Sequence, residues 1–226
     1  MNGTPRRSRL LPLLAAILLA SLAALPATAA ASTPAGGRVT GTLAQLIDRL
    51  PVRSEVRSGY DRDLFDHWED LDRDGCDTRE EVLIAESTVT PRTGSGCSVT
   101  YGRWRSVYDG VVTMNDSSFD VDHVIPLAEA WDSGARSWSS GRREAFANDL
   151  GDRRALRAVT ASSNRSKGDQ DPAEWLPPLT SFRCTYIRDW VALKVRWGLS
   201  VDSRERTVLR GFISRCGSAP ISVNRA

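Results

Sequence analysis

Histidine is nearly missing from this 226-residue chain: His67 and His123 are the only two. Cysteine is scarce as well, with Cys76, Cys97, Cys184 and Cys216 and no CxxC pair among them. A Cys/His zinc site draws four such ligands from close spacings, so that class is disfavoured. The absence of a GxSxG stretch speaks against the nucleophile-elbow hydrolases. An excess of charge of one sign is also lacking. Thirty Lys and Arg oppose 28 Asp and Glu, and setting aside Arg6, Arg7 and Arg9 at the N-terminus leaves 27 against 28. A uniformly basic nucleic-acid binder is thereby excluded, and any polyanion site must be local.

Long apolar runs are missing everywhere except between Leu10 and Leu25. That run follows the three arginines and ends at Ala27-Thr28-Ala29, the small-x-small pattern of a secretory cleavage site. It is short for a membrane span, so no stable membrane association is expected. We read residues 1–31 as a signal peptide, 32–41 as a flexible mature N-terminus and 42–226 as one domain, exported and extracellular. An even cysteine count in an exported chain reads as two disulfides. Three pairings are open, and local closure favours Cys76 with Cys97 and Cys184 with Cys216.

Helices and strands alternate along that domain. Thr42 and Gln45 form a capping box ahead of Leu43, Leu46, Ile47 and Leu50, and Pro51 stops the helix. Leu64, Phe65 and Trp68 predict a short helix. Residues 98–113 alternate in polarity with Gly102 and Gly110 as punctuation, which predicts a β-hairpin. Strands are predicted at 119–125 and 156–160, and helices at 127–131, 142–148, around Ile187–Lys194 and after Asp202. The fold class is α+β.

Charge is segregated inside this frame. Tyr60 to Glu86 holds eleven acids against three bases, and Arg136 to Lys167 holds eight bases against three acids. Within the acidic run, Asp70, Asp72, Asp74, Gly75 and Glu81 take positions 1, 3, 5, 6 and 12 of a calcium-binding loop, for which Ca²⁺ is the fitting ion. The competing reading is a structural turn with internal ion pairs, because Asp77 stands where a small apolar residue is usual.

The most informative stretch is Phe119-Asp120-Val121-Asp122-His123-Val124-Ile125-Pro126, followed by Ser163-Asn164-Arg165-Ser166-Lys167-Gly168-Asp169. Neighbouring side chains of a strand leave in opposite directions, so Asp122 and His123 can address two sides of one phosphate at a curling strand end. A carboxylate oxygen suits Mg²⁺ or Mn²⁺. An imidazole with an ordinary pKa near 6.5 suits proton removal from water. Alone, an Asp-His pair reads first as a common structural feature, its histidine partly buried and hydrogen-bonded. With the later Asn and its flanking cations, the chain resembles the HNH, or ββα-metal, endonucleases, and it is particularly similar to small secreted HNH proteins of actinobacteria.

That resemblance implies a single α+β domain with a ββα-metal core, a β-hairpin and flanking helices. It implies His123 as general base, Asp122 and Asn164 as metal ligands, and Arg165 and Lys167 as substrate contacts on nucleic acid, DNA first. The Asn that orients the histidine in this family is replaced by Ala155, leaving Asn148, Asp149, Asp152 or a peptide carbonyl to do that work. The alternative is a non-catalytic extracellular calcium- or nucleic-acid-binding module on the same fold.

Overall fold

The computed structural model describes residues 37–226, with Met1 and Gly3, so the expected signal peptide otherwise lies outside the described residues. Strand β1 (Arg38–Gly41) pairs antiparallel with the last strand, β8 (Ile221–Asn224), through Val39 opposite Val223. Residues 38–41, inside the segment 32–41 expected to be flexible, are thus ordered by pairing with β8; residues 32–36 lie outside the described residues. Helix α1 (Leu43–Arg49) starts on the Thr42/Gln45 capping box and buries Leu43, Leu46 and Ile47.

The helix expected around Leu64 is only a 3-10 turn, Arg62–Leu64, capped by the Asp61 side chain. Only Phe65 of that apolar trio is fully buried, while Leu64 is exposed and Trp68 adopts a positive φ of 64°. With one anchored residue there is no apolar face to sustain further turns. Helix α2 (Thr78–Glu86) follows, capped by Asp77.

The expected hairpin at 98–113 divides. Strand β2 (Arg92–Thr93) pairs with β3 (Val99–Tyr101), and β4 (Trp104–Arg105) pairs with β5 (Val112–Thr113). Gly102 marks the break: a Cβ there would lie 2.4 Å from the Trp104 ring, which folds back over this backbone into the core. Strand β6 (Phe119–His123) pairs in full antiparallel register with β7 (Leu156–Thr160), His123 facing Leu156. Between them run α3 (Leu127–Asp132) and α4 (Ser140–Ala147), and β7 leads directly into α5 (Ala161–Lys167), capped by Thr160. Helices α6 (Arg183–Trp197) and α7 (Ser203–Gly211) complete the chain.

The mixed α and β elements of residues 37–226 share one core, through which α6 runs with ten buried residues. Both disulfides are the local ones, Cys76–Cys97 tying the acidic loop to the turn before β3 and Cys184–Cys216 tying α6 to the segment after α7. Closing loops of this size stabilises by about 2–4 kcal/mol each. No helix among the described residues is long and apolar enough to cross a membrane.

Candidate active site

Alternation along β6 places Asp120 and Asp122 on one face and Val121 and His123 on the other. Asp122 is 6% exposed. Its Oδ1 accepts from Lys167 Nζ at 2.9 Å and its Oδ2 from the Tyr108 hydroxyl at 2.6 Å. The ammonium of Lys167 also donates to the His123 carbonyl at 2.9 Å, stitching the end of α5 to the end of β6. Burial pushes the Asp122 carboxyl up, and Lys167 and Tyr108 pull it back. Burial likewise lowers Lys167, against the pull of Asp122.

His123 is held at its other nitrogen. Nε2 lies 2.8 Å from the carbonyl oxygen of Ala147, the last residue of α4. A carbonyl can only accept, so Nε2 carries the hydrogen and the neutral ring keeps Nδ1 as its bare, basic nitrogen. Trp68 covers the imidazole, with ring centroids 5.1 Å apart. Burial drives the His123 pKa down to about 3, against the Ala147 carbonyl, with Arg62, His67 and Lys167 adding positive charge. The ring is therefore neutral throughout the ordinary pH range, not half-protonated near 6.5. An anionic phosphate beside it would raise that value.

On α5, Asn164 Nδ2 donates to Asp120 Oδ2 at 3.1 Å, which turns its carbonyl oxygen away from Asp120. A cavity of about 230 Å³ opens here, lined among others by Asp122, His123, Asn164, Arg165 and Arg62. Four residues singled out in the sequence thus meet at one cavity.

Lys167, expected to touch substrate, does not reach it. The side chain is 0% exposed and runs beneath Asp122: Lys167 shares a face of the short α5 helix with Asn164, three residues earlier, and that face packs on β6, where Asn164 meets Asp120 and Lys167 meets Asp122. Ala155 leaves the orienting role to the peptide carbonyl of Ala147; its own carbonyl accepts from the Val124 amide at 2.9 Å. Asn148 holds a different partner: its side chain donates to the carbonyl of Asp66 and accepts from the amide of Glu69, clamping the loop that carries His67 and Trp68. Tyr108, Trp68 and Arg62 escaped the sequence reading. Tyr108 lies in the stretch 98–113, expected only as a hairpin, whereas the Ala147 carbonyl has no side-chain signature at all.

The acidic loop is separate from this cavity's lining. Asp70, Asp72 and Asp74 are exposed, with one carboxylate oxygen of each within 4.8 Å of the others. Asp70 accepts from the amides of Asp74 and Gly75, and Asp74 from that of Cys76. Burial first, then Asp72, Asp74 and Asp70, raise the Glu81 carboxyl, which places its charge toward the same loop. A helix follows the loop from Thr78, but only the 3-10 turn precedes it.

Comparison with known proteins agrees with the extracellular features. A protein of Arthroderma benhamiae described as an uncharacterized secreted protein is 40% identical over 200 residues, covering 88% of this chain and 97% of its own. No solved structure matches. The sequence profile of the C-terminal domain of GmrSD restriction endonucleases matches residues 77–211, from the N-cap of α2 to the end of α7, and the chain belongs to that family.

Proposed function

We propose that this protein is an exported, metal-dependent endonuclease of HNH type that hydrolyses phosphodiester bonds in nucleic acid, DNA first. The observation that carries the reading is the His123 ring, fixed by the Ala147 carbonyl with Nδ1 bare, at a cavity shared with Asp122, Asn164 and Arg165. Membership of a restriction endonuclease family supports it. Export is supported by the N-terminal apolar run, the two disulfides and the secreted relative. In this reading β6, β7 and α5 are the ββα-metal core.

The donors suit a hard divalent cation such as Mg²⁺ or Mn²⁺. Asp122 and Asn164 both offer oxygen at the cavity, and Asn164 Oδ1 accepts no hydrogen bond among the described residues. Such an ion supplies Lewis-acid polarisation of the phosphate and charge for the leaving oxygen. His123 Nδ1 takes a proton from the attacking water as the new O–P bond forms and the P–O3′ bond breaks, leaving a 5′-phosphate. Arg165 binds the phosphate, Lys167 orients Asp122, and Trp68 excludes bulk water from the ring. The Asp70–Glu81 loop is assigned to structural Ca²⁺.

One observation favours the non-catalytic module: both Asp122 oxygens already have protein partners, one of them a cation. Incubating the purified protein with supercoiled plasmid in Mg²⁺, Mn²⁺ or EDTA separates the two. Nicking that needs the metal supports the endonuclease, and intact plasmid under all conditions supports the module.

A further inference from the structure

Residues 61–69 lie before the segment matched by the family profile, yet Arg62 among them lines the cavity of Asp122 and His123. Three contacts hold this arm to the rest of the molecule. Phe65 is fully buried, with its ring against Trp131 and Phe146. Arg143 of α4 donates to the Leu64 carbonyl at 2.9 Å. Asn148, just past α4, clamps Asp66 and Glu69. The end of α4 therefore fixes the arm, and the neighbouring Ala147 carbonyl fixes His123.

On this arm His67 Nδ1 lies 2.9 Å from the Phe65 carbonyl, which makes Nδ1 the donor and leaves Nε2 as an acceptor in the neutral ring. Arg62 Nη2 meets that acceptor at 3.3 Å. Arg62 then lines the cavity together with Arg165, and neither guanidinium has a carboxylate partner among the described residues. Of the two acids at the same cavity, Asp122 is engaged by Lys167 at 2.9 Å and Asp169 by Arg57 at 3.2 Å. Two guanidinium groups free of carboxylates at one cavity form a receptor for an anion, and a planar fork matches phosphate oxygens.

We propose that Arg62 is a second phosphate contact of the substrate site and that His67 is its positioning residue. This rests on reading the cavity as a phosphodiester site. The arm adds a cation from outside α5, so that the polynucleotide backbone meets Arg62 as well as Arg165 at the same cavity. Holding the guanidinium in place before binding spares the ordering cost of a free arginine.

The test is binding without catalysis: fluorescence anisotropy of a labelled DNA duplex with the full mature protein in EDTA, across a salt series. Replacing Arg62 with Ala should weaken binding about tenfold and reduce the slope of log affinity against log salt by about 0.9, one phosphate contact. Arg62→Lys should keep the slope while losing affinity. His67→Leu should keep the slope, because the charge remains, and lose about two- to tenfold in affinity as one hydrogen bond goes. Arg38→Ala, on the β1–β8 pair and outside the cavity, is the control and should keep the wild-type slope. A wild-type slope in Arg62→Ala, an equal drop in Arg38→Ala, or no DNA binding by the wild type would overturn the proposal. Plasmid left intact in every metal, with the Arg62-dependent slope still present, would overturn the endonuclease reading alone.

Discussion

Two lysines of this molecule are equally hidden and differently used. Lys194 and Lys167 are both 0% exposed and both pair with carboxylates. Lys194 gives its ammonium to Glu129, Ser133, the Ser200 carbonyl and Glu205, four acceptors at 2.6–3.0 Å in the interior. Burial works against its charge, but Glu129 and Glu205 outweigh burial and hold it above the ordinary lysine range. Lys167 has two acceptors, Asp122 and the His123 carbonyl, and burial wins, so its pKa falls. An ammonium offers three hydrogens. The saturated lysine ties α6 to α3 and α7. The under-coordinated one lies under a carboxylate that faces a cavity, where a second cation can share the load.

Lys194→Met is the harshest way to probe the contrast. It strands the buried Glu129 carboxylate beside Glu205, whose carboxyl burial already pushes up to about 8, and should cost about 3–5 kcal/mol. Urea denaturation reads this directly, and a loss under 1 kcal/mol would mean that the cluster is not charged as drawn. Lys167→Met should cost less, about 3 kcal/mol, because Tyr108 still donates to Asp122. It should also sharpen the response to metal: with its lysine gone, Asp122 depends on an added ion, so Mn²⁺ should raise the melting temperature more in Lys167→Met than in wild type. An identical metal response in both would remove Asp122 from the proposed ligand set.

His123 contributes through pH. Its folded pKa is pushed to about 3 by burial. Unfolded chains take up the proton near 6.5, so stability from the neutral ring is present above that pH and is lost as the pH falls toward about 3. From pH 6.5 to 5, in metal-free buffer, the loss should be about 1.6 kcal/mol. Comparing unfolding of wild type and His123→Gln isolates this slope, and equal slopes would show that the ring is solvated. The smallest effect is expected at the acidic loop. Ca²⁺ in tenfold excess over its dissociation constant should stabilise by about 1.4 kcal/mol, and Asp72→Ala should abolish the gain. An unchanged melting curve in wild type would remove calcium from the Asp70–Glu81 loop.

Much of this frame was legible because it is local. The Thr42/Gln45 capping box, the β7 strand and the short-range cysteine pairs each depend on residues close in sequence. The meeting of Asp122, His123, Asn164 and Arg165 was legible through the spacing of two motifs. What sequence withheld was direction and backbone. Lys167 looks like a helix-end cation until the packing of α5 on β6 turns it inward. Ala147 acts through a carbonyl that any residue supplies. Tyr108 and Arg62 reach the site by tertiary packing from a strand-rich loop and an N-terminal arm, which no period in the sequence reports.

Everything proposed for this cavity turns on His123 Nδ1 acting as its base. The most direct measurement is metal-dependent nicking of supercoiled plasmid by wild type and by His123→Ala at matched fold, checked by circular dichroism. Wild type should nick in Mg²⁺ or Mn²⁺, and turnover should be about 10²–10⁴-fold lower in the variant. Nicking by folded His123→Ala at the wild-type rate would contradict that role.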